Sequence, residues 1–172
     1  MADEAPDYEV LRHDGSFELR RYAGYLTANV RVTALDYNRA MNAGFDPVAD
    51  FIFGNNHVAD RISMTAPVTA RRSEDEYVVS FTMPSGYSLE TPPRPNNTEV
   101  SIEPVDSHLA AVVRFGGKSS GTKAAQAQTQ LKSWIEEQGL VALGESVVAQ
   151  YDPPWKPGFA RRSEVMIVVD QA

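Results

Sequence analysis

The chain leaves a strand-like pattern for a helical one twice, and in the same order each time. Most of it alternates apolar and polar residues, the period of half-buried strands, and one helix-period segment interrupts each half. Each half reads strand, strand, long helix, strand ending near a proline, strand. Residues 35–53 correspond to 122–138 and residues 77–83 to 163–169, an offset of about 85 residues. The element order repeats and the residue identities do not. Two units of this kind, each with a helix on one sheet face, join into a barrel-like core with the helices outside. The expectation is therefore an α+β fold: a distorted antiparallel β-barrel from two pseudo-repeated halves, about 8–84 and 98–170, with two long helices packed outside. At 172 residues and 42% apolar the chain forms one domain with enough apolar surface for a core.

The local signals are uneven. Tyr8–Arg12 and Phe17–Tyr22 flank a His13-Asp14-Gly15-Ser16 turn, and Leu26, Ala28, Val30 and Val32 mark a clean strand. In 34–53, Ala40, Met41, Phe45, Val48 and Ile52 take helical spacing, but Gly44 and Pro47 interrupt it. Asp46 before Pro47 has the form of an N-cap with proline at the first helical position, so the segment is a kinked helix or two short ones. Arg61–Ala70 alternates Ile62, Met64, Ala66 and Val68 with Ser63, Thr65, Pro67 and Thr69. Pro67 cannot donate to a ladder and belongs at a bulge or an edge. Its counterpart in the second half is Tyr151–Trp155. A Pro-rich connector spans 84–97. Residues 122–138 form the clearest helix, with Ala124, Ala127, Leu131, Trp134 and Ile135 on one face. In the last strand, Val165, Ile167 and Val169 face one way and Glu164, Met166 and Val168 the other.

Composition removes several function classes. A net charge of −7 with dispersed cations argues against a hold on nucleic acid. No apolar run approaches the ~18 residues of a membrane helix, and no secretory signal is visible. With no cysteine there is neither a disulfide nor a thiolate metal site. The expectations are a cytoplasmic location and a monomer.

Three histidines, His13, His57 and His108, share no metal-binding spacing. His57, in a loop after the first helix, is an exposed loop residue or a ligand for haem iron. Each of the pairs Arg20-Arg21, Arg71-Arg72 and Arg161-Arg162 can place one arginine inward and one outward. Glu164, if its strand face points inward, needs a partner such as Arg20 or Arg161, and is then a buried ion pair or a general acid or base. Tyr22, Tyr87 and Tyr151 are polar anchors or axial oxygen ligands.

Motifs along most of the chain resemble the SOUL/haem-binding protein family. They are Phe17–Tyr22, Gly44-Phe45, Gly54-Asn55-Asn56, Ile62–Val68, Phe81–Pro84, Pro92–Pro95, Phe115-Gly116-Gly117, Tyr151–Trp155 and Arg161–Val165. The resemblance implies the barrel with outer helices, similar to gyrase-inhibitor-like effector domains, and binding of haem or another tetrapyrrole in a hydrophobic cleft. Some members carry a histidine proposed as the iron ligand between the Arg and Tyr of the first motif; here that position is Arg21. The expected haem-binding residues are Arg20, Arg21 and Arg61 toward propionates, Met41, Phe45, Val48, Met64 and Met83 as apolar walls, and His57 toward iron. The implied role is a soluble carrier or buffer. The alternatives are a module for another bulky hydrophobic ligand, or an enzyme acting on one through a cleft carboxylate.

Overall fold

A computed structural model describes residues 5–57, 59, 61–62, 65–85, 87, 94–116, 121–151 and 162–171. In chain order the elements are β1 (Tyr8–Asp14), β2 (Phe17–Tyr22), β3 (Tyr25–Val32), α1 (Tyr37–Ile52), β4 (Val68–Ser73), β5 (Glu76–Thr82), β6 (Val100–Val105), β7 (His108–Gly116), α2 (Gly121–Glu137), β8 (Leu140–Ala142), β9 (Val147–Gln150) and β10 (Arg162–Gln171). The fold is α+β, as expected. The strands form one ten-stranded sheet in the order β1-β2-β7-β10-β9-β4-β5-β3-β6, with β8 added to β10. All its pairings are antiparallel. The barrel is partly open, because β1 and β6 end the sheet without pairing to each other. Pro104 is accommodated on β6 because a terminal strand needs no donor on its free side.

Both helices pack on one face of the sheet. Under α1, Met41, Val48, Phe51 and Ile52 meet Leu26, Ala28 and Val30 of β3 and Tyr77, Val79 and Phe81 of β5. Under α2, Ala124, Ala127, Leu131, Trp134 and Ile135 meet Leu19, Ala111, Val113, Val165 and Ile167. The period-two pattern then dictates the opposite face. It receives Glu18, Arg20 and Tyr22 from β2, Tyr25, Thr27 and Asn29 from β3, Ala110, Val112 and Arg114 from β7, and Glu164 and Met166 from β10.

Several local expectations are corrected. Helix α1 is a single helix of 16 residues with Pro47 inside it, not two short ones. Its N-cap is Asp36, whose carboxylate accepts from the Arg39 backbone at 2.9 Å, and not Asp46. The buried apolar face holds the helix together across the missing proline N–H. Gly44 does not break the helix: a Cβ there would lie 2.6 Å from the Val79 side chain, so glycine lets α1 settle closely on β5. The strand expected over 61–70 begins only at Val68. Ahead of it Ile62, Thr65 and Ala66 are all buried, which breaks the two-residue alternation, and the Ala66–Pro67 peptide is cis. Ser63 lies outside the described residues, as do 86 and 88–93 of the Pro-rich connector, 152–155 of the expected partner motif, and Arg161.

Candidate ligand-binding site

The face away from the helices carries a buried ionic cluster. Arg20 is 0% exposed, while Glu18 and Glu164 are 6% and 4% exposed. Strand β2 delivers Glu18, Arg20 and Tyr22 as alternate residues. Strand β10 pairs with β7, which pairs with β2, so Glu164 sits opposite Arg114 and within reach of Arg20. Arg20 Nε donates to Glu18 at 2.7 Å, Nη1 to Glu164 at 2.9 Å and to the Tyr22 oxygen at 2.8 Å, and Nη2 to Glu164 at 2.6 Å. Arg114 donates to Glu164 at 3.2 Å and lies 3.4 Å from Glu18. The Tyr151 hydroxyl donates to Glu164 at 2.6 Å. The Tyr8 ring covers the Arg20 guanidinium at 4.3 Å.

The cluster is internally neutralised: two guanidinium groups answer two carboxylates. Burial pushes the Glu164 pKa up, but the hydrogen bond and charge of Arg20, with Tyr151 and Arg114, outweigh it and hold the carboxyl below its ordinary range. Burial pulls the Arg20 pKa down, and Glu164 more than restores it. Burial raises the Tyr22 and Tyr151 hydroxyls well above the ordinary tyrosine value. Glu164 is thus the buried ion-pair member anticipated as one alternative. A base or acid working near neutral pH needs a carboxyl raised toward that range, and Glu164 is shifted the other way.

Space lies beside this cluster. A cavity of about 500 Å³ opens where the segment leading into β1 faces the β6–β7 turn, between the two terminal strands. Its walls include Tyr25, Leu26, Met83, Tyr87 and Val105. A second cavity of about 500 Å³ shares Asp7, Ala23 and Ser107 with the first and adds Tyr8, Arg21, Tyr22 and His108. The aromatic rings here form a series: Tyr8 and Tyr22 have centroids 5.1 Å apart, Tyr22 stacks on His108 at 5.3 Å, and Tyr25 tilts against His108 at 6.3 Å. A third cavity of about 310 Å³ lies between Tyr8, Arg114, Phe115, Tyr151 and Glu164.

The residues singled out in the sequence are dispersed. Arg20 makes four hydrogen bonds to internal partners and is fully buried, so it does not face a ligand. Arg21 is exposed, 3.4 Å from Glu9, at the second cavity. Met41 and Val48 are buried in the α1 core, where the helix covers the sheet, and present no open wall; Phe45 beside them is half-buried. Met83 is buried in the same core and borders the first cavity. Arg61 is exposed and stacks 5.3 Å from the ring of Phe53. Met64 lies outside the described residues. His57 is exposed, and its Nδ1 accepts from the Arg94 backbone N–H at 2.5 Å. An accepting Nδ1 places the proton of the neutral ring on Nε2, which then has no lone pair for iron. Glu18, Arg114, Tyr25 and His108 were not singled out for this region. Only the parity of β2, β3 and β7 marks them, and parity is informative once the helix-covered face is known.

Comparison with known proteins decides the family. A family model described as SOUL heme-binding protein matches residues 3–168. The chain belongs to the SOUL family. A relative of this SOUL protein, "Heme-binding protein 2" of Mus musculus, is 31% identical over 174 residues, covering 96% of this chain and 83% of the relative. "Heme-binding protein 2" of Homo sapiens is 32% identical over 163 residues, covering 90% and 78%. Among solved structures, the EcmrR C-terminal domain superposes with a TM-score of 0.69 at 12% identity, covering 96% of this chain and 99% of that one. This second likeness is one of fold alone. Among the described residues of the SOUL chain, no helix is long and apolar enough to cross a membrane.

Proposed function

We propose that this chain binds haem or a related tetrapyrrole at the open end of its sheet, as a soluble carrier or buffer in the cytoplasm. Membership of a haem-binding family over nearly the whole chain carries this reading. The residues present fit the group. A planar, largely apolar macrocycle with two carboxylates needs apolar and aromatic walls and a cation at the rim. The adjoining cavities offer Tyr25, Leu26, Met83 and Tyr87 as walls and Arg21 as the cation. Their size falls within the roughly 300–1,000 Å³ of small-molecule sites. Haem, when bound, supplies an iron that accepts an axial ligand. The protein's own part is to bury the ring, exclude water and meet the propionates. Apolar surface removed from water contributes about 25 cal/mol per Å² to such binding.

The strand order supports the reading of two equivalent halves. Exchanging β2, β3, β4 and β5 with β6, β7, β9 and β10 turns β2-β7-β10-β9-β4-β5-β3-β6 into its own reverse. In this reading the ionic cluster, built on β2, β7 and β10, is structural and specific to the second half's side. The test is a titration with hemin and with metal-free protoporphyrin IX, followed by absorbance and by quenching of tryptophan emission. Saturable one-to-one uptake of both, weakened in Arg21→Ala and Met83→Ala, supports the proposal. Tight binding of a non-porphyrin hydrophobe with only non-stoichiometric hemin uptake replaces it with the broader ligand class.

A further inference from the structure

We infer that His108 supplies the nitrogen ligand for haem iron, through Nε2, an inference that rests on the haem-binding reading above. The observations are independent of that reading. His108 is the first residue of β7 and pairs with Tyr22 across the β2–β7 ladder. Its Nδ1 lies 2.8 Å from the backbone oxygen of Asp106. A carbonyl oxygen only accepts, so Nδ1 carries the proton and Nε2 carries the lone pair. That is the arrangement in which one ring nitrogen is fixed by a carbonyl and the other is left to a metal.

The ring is also held in place. Tyr22 stacks on it at an interplanar angle of 14°, and Tyr25 tilts against it. It lines the cavity that Arg21 also borders, and no side chain of the described residues hydrogen-bonds its Nε2. Asp7 and Glu9 border the same cavity, and Glu9 lies beside Arg21. The contrast with His57 decides between the two. His57 accepts at Nδ1, so its proton is on Nε2, and its ring is exposed. His108 donates at Nδ1, and its ring is half-buried among aromatic side chains. Arg21 fills the position between Arg20 and Tyr22 on β2, and His108 sits on the adjacent strand directly opposite Tyr22.

The experiment uses the full chain loaded with hemin, with metal-free protoporphyrin IX as the iron-independent probe. The variants are His108→Ala, His108→Phe and His57→Ala. His108→Phe keeps an aromatic ring on Tyr22 while removing both ring nitrogens, so it tests ligation with the stacking retained. The wild-type ferric complex is expected to show a histidine-ligated Soret band and electron paramagnetic resonance spectrum. Both His108 variants lose that signature and bind hemin about tenfold or more weakly, the loss that even an outer partner of a metal ligand causes. Added imidazole restores the signature in His108→Ala. Protoporphyrin IX binds His108→Phe as it binds the wild type, and His57→Ala keeps the wild-type spectrum. Hemin bound with the same spectrum in wild type and both His108 variants overturns the assignment while leaving haem binding intact. Failure of the wild type to take up hemin overturns both.

Discussion

Replacing Arg20 by methionine removes the one fully buried cation among the described residues and leaves two carboxylates behind. Glu164 then keeps Arg114 at 3.2 Å and the Tyr151 hydroxyl, and Glu18 keeps Arg114 at 3.4 Å. Arg114 is largely exposed and its attraction is screened by water, so it compensates weakly. Breaking a buried pair from one side costs about 3–5 kcal/mol. Against a whole-domain stability of about 5–15 kcal/mol this is a large fraction. Equilibrium unfolding in urea at pH 7 measures it for Arg20→Met, for Glu164→Gln and for the pair. The double variant is expected to lose less than the sum of the singles, by about 1 kcal/mol or more, because the two groups touch. A loss below about 1 kcal/mol in Arg20→Met, or strict additivity, refutes the view that this cluster is a mutually dependent structural unit.

The same cluster sets the pH response. The Glu164 pKa is depressed below the ordinary carboxylate range, so its stabilisation is present above the unfolded-state pKa and is lost as pH falls through the lower folded-state one; wild type therefore loses stability on acidification more steeply than Glu164→Gln in acid titrations of unfolding. The Tyr151 hydroxyl is raised above 10.0 by burial, so it favours the fold below pH 10 and the benefit fades above it; alkaline unfolding monitored by circular dichroism is expected to be shallower in Tyr151→Phe. Gly44→Ala drives a methyl group into Val79, and is expected to cost about 1–3 kcal/mol in thermal or urea unfolding although alanine is the better helix former. Asp36→Ala removes the N-cap of α1 and is expected to cost about 1 kcal/mol, where Asp46→Ala, with no capping role, costs less.

Much of the fold was legible because strand and helix periods are local. Leu26, Ala28 and Val30 alternate cleanly, and the two faces of β10 divide as the pattern of Val165, Ile167 and Val169 against Glu164 and Met166 indicates. Where one residue's role depends on a distant neighbour, the pattern misled. Asp46-Pro47 carries a start signal, yet the apolar face running from Ala40 to Ile52 extends the helix through it to a cap at Asp36. Met41 and Val48 looked available to a ligand because nothing local says that β3 and β5 lie beneath them. The Arg20–Glu164 pair was accessible as an alternative, since a charged residue on an inward strand face must find a partner. Arg114 and His108 were not, because their significance comes from the β2–β7 pairing, which brings together segments far apart in sequence.

Stoichiometric hemin binding is the property on which the account stands. Hemin titrated into the full chain at neutral pH, read by the Soret band, is predicted to give a saturable one-to-one complex that Arg21→Ala and Met83→Ala weaken. A linear, non-saturating uptake, or a complex indifferent to both substitutions, contradicts the placement of the tetrapyrrole at the open end of the sheet.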